Sequence, residues 1–102
     1  MFDNERYITK GVNETISIQL GLLLWSLIDE LKKKEKFTID YLQVFELRSI
    51  KSNNGFNQEL IHKQEVEPYK KVYLFSASEP IDAKIYAIDD SEHSVMMLSS
   101  EY

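Results

Sequence analysis

The sequence predicts an α+β domain. One amphipathic helix packs on a mainly antiparallel, twisted or partly barrelled sheet of about six strands, in the order β-α-β-β-β-β-β. Three observations carry this. Apolar residues recur with a helical period between Leu20 and Leu31. From Phe37 onward the apolar residues follow strand patterns, cut by Asn, Gly, Pro and Asp turn signals. The 102 residues, 43% apolar and 28% charged, are enough for one modest core, so residues 1–102 form a single domain.

The stretch Arg6-Tyr7-Ile8-Thr9 is β-prone, and Gly11 ends or bends it. Ser17, or alternatively Thr15, suits the N-cap of the helix that follows. Leu20, Leu23, Leu24, Leu27, Ile28 and Leu31 make its buried stripe, and Leu22 and Trp25 widen the arc. Asp29 with Lys33 and Glu30 with Lys34 are acid-first i,i+4 pairs on the other side. Gly21 costs a helix interior about 1 kcal/mol against Ala. Its presence predicts close approach to another backbone.

Residues 41–50 and 58–66 read as two strands of a hairpin closed by Asn53-Asn54-Gly55, because Asn and Gly take the positive φ of a tight turn. With Asn54-Gly55 as the two-residue loop, Glu46 opposes Lys63 and Leu47 opposes His62. One face is then Val44, Glu46, Arg48, Glu59, Lys63 and Glu65; the other is Phe45, Leu47, Leu60 and Val66. Pro68 interrupts pairing, and residues 71–77 add a third strand of the meander, with Val72 and Leu74 opposite in facing to Tyr73 and Phe75. Residues 83–88 and 94–98 form a second hairpin around Asp89-Asp90-Ser91. Both of its faces are apolar: Ile85, Ala87, Met96 and Leu98 on one, Tyr86, Ile88, Val95 and Met97 on the other. A single helix covers one face, so the second needs a curled sheet or a second chain. Tyr86, Ile88, Val95 and Met97 are the predicted interaction surface, with a homodimer or other protein as partner.

The composition excludes several function classes. With 12 Lys and Arg against 17 Asp and Glu, the net charge of -5 offers no general attraction to nucleic acid or anionic lipid. The one basic run, Lys32-Lys33-Lys34 with Lys36, reads first as cations at a helix C-terminus, with phosphate contact as the alternative. The longest apolar run, Leu22-Leu23-Leu24-Trp25, is far short of a membrane span. The acidic first residues do not resemble a signal peptide, and the lack of Cys suits the cytoplasm. Three glycines leave no phosphate-binding loop, and no Gly-x-Ser-x-Gly is present. No cofactor and no metal site is expected.

The candidate chemistry is sparse. His62 shares a hairpin with Glu46, Glu59 and Glu65, so an acid–base pair of His62 with a nearby Glu, Glu46 being the candidate, is conceivable; a plain strand histidine is the simpler reading. Asp89, Asp90 and Glu92 are dense enough to hold a cation, but their spacing is that of a turn. Tyr69, Tyr73, Phe75 and Tyr86 could form an RNA-stacking face with Lys70, Lys71 and Lys84, or simply fill a core.

Residues 6–13 (RYITKGVN), 24–29 (LWSLID), 40–47 (DYLQVFEL), 62–65 (HKQE) and the closing Met-Leu-x-x-Glu-Tyr resemble a family of small uncharacterised proteins. It occurs in low-GC Gram-positive bacteria such as staphylococci, streptococci and enterococci, and in their phages. The similarity spans nearly the whole chain. Ser17 and Ser99 stand where the family commonly has proline, which here leaves the helix start to a side-chain cap. The resemblance implies a cytoplasmic bacterial protein and supplies no catalytic residue. The reading that follows is a non-enzymatic protein-interaction or regulatory module. The alternatives are a small-ligand binder or small enzyme using His62 with a nearby Glu in a sheet cleft, and RNA binding on the aromatic face.

Overall fold

Six strands and two helices form two layers, one of sheet and one of helix, in a body of 38 × 32 × 20 Å. The computed structural model describes the backbone throughout and all side chains except those of Ser52 and Asn53. The elements are β1 (Glu5–Ile8), α1 (Lys10–Thr15), α2 (Ile18–Lys32), β2 (Leu42–Asn53), β3 (Phe56–Gln64), β4 (Tyr69–Phe75), β5 (Ala83–Asp89) and β6 (His93–Leu98), then a 3₁₀ turn over Ser99–Glu101. The sheet order is β1-β6-β5-β2-β3-β4. All pairs are antiparallel except β1 with β6. The sheet is open, with β1 and β4 as its edges, so the partial barrel is not realised.

Ser17 is the cap of α2: its hydroxyl accepts from the Leu20 N–H at 3.1 Å. The buried stripe is Gly21, Leu24, Trp25, Ile28 and Leu31, rotated from the expected one. Trp25 belongs to the core, whereas Leu22 and Leu23 are exposed. The i,i+4 pairs do not form. Asp29 is held bidentately by Arg6 of β1, and Lys33 turns back to Glu30 at 3.3 Å. Arg6 also lies 5.0 Å over the Trp25 ring, so one side chain ties β1 to α2. The short α1 is not foreseen from the sequence. Thr9 starts it, accepting from the Val12 N–H at 3.2 Å, and Gly11 sits inside it rather than in a strand.

The two-residue loop forms as expected, with Asn53 opposite Phe56, Asn54 at φ 57° and Gly55 at φ 87°. The register then shifts between Ser49 and Asn53, so that Glu46 opposes Ile61, Leu47 opposes Leu60 and Val44 opposes Lys63. The irregularity moves the pairing by two residues, an even number, and every side chain keeps its expected face. Glu65 and Val66 are the exceptions: β3 ends at Gln64, and both lie exposed in the turn. The expected meander ends at β4. From there the chain crosses back to pair β5 with the far side of β2.

Candidate functional site

The two sheet faces hold the two sets of candidate residues, and the helices separate them in kind. On the inner face, under α2, the apolar core of Phe45, Leu47, Leu60, Ile85, Ala87 and Met96 is interrupted by buried Gln43, Gln58, His62 and Gln64. His62 is fully buried, stacked on Phe45 at 4.6 Å and edge-on to Tyr69 at 5.4 Å. The Gln43 amide nitrogen donates to the Asp40 carbonyl at 2.9 Å and to Gln64 Oε1 at 2.7 Å. Gln43 Oε1 therefore faces His62, and the ring Nε2–H donates to it at 2.7 Å. Nδ1 is left a bare acceptor with no partner among the described residues. Burial pushes the His62 pKa down from 6.5 to about 4, so the ring is neutral.

Gln64 completes this network. Its oxygen accepts from the Asp40 N–H at 2.9 Å, and its nitrogen faces the carbonyls of Thr38, Val66 and Glu67. At the other end of β3, Gln58 exchanges both hydrogen bonds with the Ile81 backbone, and Asn57 does the same with Ala77. These amides pin the connections that run past the sheet ends. The sequence signal for them is that Gln43, Gln58 and Gln64 share strand parity with Phe45, Leu47 and Leu60.

Glu46 and Glu59 lie on the outer face, where Glu46 meets Lys63 at 3.2 Å and Lys84 at 3.8 Å, and Glu59 meets Arg48 at 3.0 Å. Alternation along each strand thus places the sheet itself between His62 and Glu46, so the expected acid–base pair is not assembled. The aromatic face is divided likewise. Tyr69, Tyr73 and Phe75 point to the helix side, Tyr73 and Phe75 packing against the core, while Tyr86 points outward. The acidic trio is a turn and a clamp. Asp90 accepts from the Glu92 and His93 N–H groups, and Asp89 from Phe2 N–H at 2.6 Å, Ser91 N–H at 2.7 Å and Asn4 at 3.1 Å. Burial opposes the charge on Asp89, but these bonds together hold its pKa below the usual carboxylate value. Among the described residues no group of three or more His, Asp or Glu is arranged to hold a metal.

The predicted interaction residues do come together. Tyr86 pairs with Met97 and Ile88 with Val95, all four on the outer face and half-buried. No helix lies over them. At the chain end the Tyr102 ring stands edge-on to Tyr86 at 5.5 Å, and Lys84 Nζ lies 5.8 Å over the same Tyr86 ring. Val72 and Leu74 are also outward and each about half exposed on β4, but the charged outer faces of β2 and β3 separate them from this patch.

Among the described residues no helix is long and apolar enough to cross a membrane. None of the curated proteins matches it. A solved structure, described as that of a protein of unknown function from Enterococcus faecalis, is similar over 98% of this chain and 92% of its own, with 27% identity and a TM-score of 0.77. The model of the family described as "Staphylococcal protein of unknown function (DUF960)" matches residues 5–101, and the chain belongs to that family.

Proposed function

We propose that this protein is a non-enzymatic interaction module of the bacterial cytoplasm that pairs with a second copy of itself through the outer sheet face. One observation carries the reading: β5 and β6 present Tyr86, Ile88, Val95 and Met97 on a face that no helix covers. An open apolar sheet face is costly in water, and an isologous contact buries it twice at once. The ion pairs of Glu46, Lys63, Lys84, Arg48 and Glu59 supply the polar rim such a contact needs. His62 supports no enzyme reading, because it is sealed in the core and its Glu partner lies beyond the sheet. The cytoplasmic assignment rests on the Cys-free sequence and the bacterial family.

Light scattering on a sizing column, over a concentration series, tests this. The expected mass is about 24 kDa, twice the 12.0 kDa chain. Val95→Glu with Met97→Lys should return it to the chain mass with the far-UV spectrum unchanged. A chain-mass species at every concentration ends the dimer reading.

A further inference from the structure

The basic run at the end of α2 and the lysines of β4 are distant in sequence, and the fold brings them into one cleft of about 480 Å3. Leu27 and Leu31 form its apolar floor; Lys33, Lys34 and Lys71 stand around it with Tyr69 and Tyr73. Lys34 Nζ lies 5.1 Å from the Tyr69 ring centroid, and Lys71 Nζ 5.3 Å from that of Tyr73. Each tyrosine therefore holds an ammonium group in place over its face, which lowers the entropy lost when that group meets a ligand.

These two lysines are not neutralised. Among the described residues neither has a carboxylate within ion-pair distance, whereas Lys32 is taken by Asp3, Lys33 by Glu30, and Lys63 and Lys84 by Glu46. In a chain of net charge -5, positive charge in excess gathers here. Two effects oppose an anion. Glu30 lines the cleft, and the C-terminal end of α2 carries the equivalent of about half a negative charge. Three lysines outweigh both. Acidic residues elsewhere on the surface are screened over about 8–10 Å at ordinary salt. The ring faces are already occupied by ammonium groups, so a base cannot stack there without displacing them. What the cleft offers is charge.

We propose that this cleft binds a small phosphate-bearing anion, gripped by Lys34 and Lys71 and steadied by Tyr69 and Tyr73. Compact, multiply charged groups of the pyrophosphate kind fit point-charge lysines, which need no planar bidentate geometry.

The test is an amide NMR titration with sodium pyrophosphate, against sodium chloride at matched ionic strength. Saturable shifts confined to residues 33–36 and 69–73 are expected. Lys34→Gln with Lys71→Gln should weaken binding at least tenfold with the rest of the spectrum unchanged, since both side chains are exposed. No saturable shift, shifts spread equally to Lys10 and Lys51, or unchanged binding by the double variant would overturn the proposal. A parallel titration with a short oligouridylate separates the sources of phosphate. Binding tenfold tighter than pyrophosphate would assign the cleft to nucleic acid and overturn the small-anion site.

Discussion

Along β3 the inner face reads Gln58, Leu60, His62, Gln64 and the outer face Glu59, Ile61, Lys63. Both faces mix polar with apolar side chains, but the polar groups do different things. The inner amides are buried and bonded to the backbone of residues 38–40, 66–67 and 81, so each one fixes the position of a connection. The outer charges pair with one another and still reach water. A buried polar group is held to a single solution by the cost of leaving it unpaired. A half-exposed ion pair is worth little and is tolerant of change. The inner face therefore specifies the fold, and the outer face is the one the proposed second copy would use.

The largest expected effect separates the two faces directly. Phe45→Ala removes a fully buried ring and should cost about 3–5 kcal/mol, much of the stability of a domain this size. Met97→Ala on the outer face should cost about 1 kcal/mol in the monomer. Equilibrium urea denaturation measures both. An outer loss that grows with protein concentration would mean that the outer face is buried by a second copy, which breaks the contrast in favour of the dimer.

The next effect is pH dependence seated in the inner face. His62 has a pKa lowered to about 4 in the folded chain, against about 6.5 when unfolded. Above 6.5 the ring is neutral in both states and contributes no slope. Below 6.5 the unfolded chain takes up a proton that the folded chain refuses, so stability falls until the pH reaches about 4, then levels for this group. The total is about 3 kcal/mol at most. His62→Leu should flatten the stability profile between pH 6.5 and 5. A variant profile with the wild-type slope there would show that His62 is not sealed. The carboxylates held low by their partners, Asp29 by Arg6 and Asp89 by its hydrogen-bond donors, add their loss only at lower pH.

What could be read in the sequence was local. The cap at Ser17, the positive φ at Asn54 and Gly55, and the division of β5 and β6 into two apolar faces all follow from a few neighbouring residues. The six residues of α1 are too few for a helical period to stand out, and only Thr9 marks its start. The placement of β5 beside β2, and of Lys34 beside Tyr69, depends on how distant segments meet, which no window of sequence contains. The pairing of His62 with Glu46 fails on alternation alone. The same parity that puts His62 with Phe45 and Leu60 puts Glu46 on the far side.

The smallest effect asks whether the helical layer above the inner face is packed throughout. Gly21 was expected to admit a neighbouring backbone, but a Cβ there would meet only Ile16 Cδ1, at 3.7 Å, an ordinary contact. It borders a shallow cleft of about 140 Å3 between Ile8, Ile16, Leu22 and Trp25. Gly21→Ala should therefore raise stability by about 1 kcal/mol, through helix propensity and added contact. Gly11 is the opposite case. A Cβ there would come within 2.8 Å of the Glu101 carboxylate, which also accepts from the Thr9 hydroxyl at 2.7 Å and the Leu98 N–H at 2.8 Å. Gly11→Ala must shift that carboxylate from its donors, a loss of about 1 kcal/mol that offsets a similar helix-propensity gain within α1. Thermal denaturation of the pair should raise the midpoint for Gly21→Ala and leave that of Gly11→Ala close to the wild type. A loss at Gly21 would mean that the cleft is needed open, and that close packing of the inner layer is given up there for a ligand or partner.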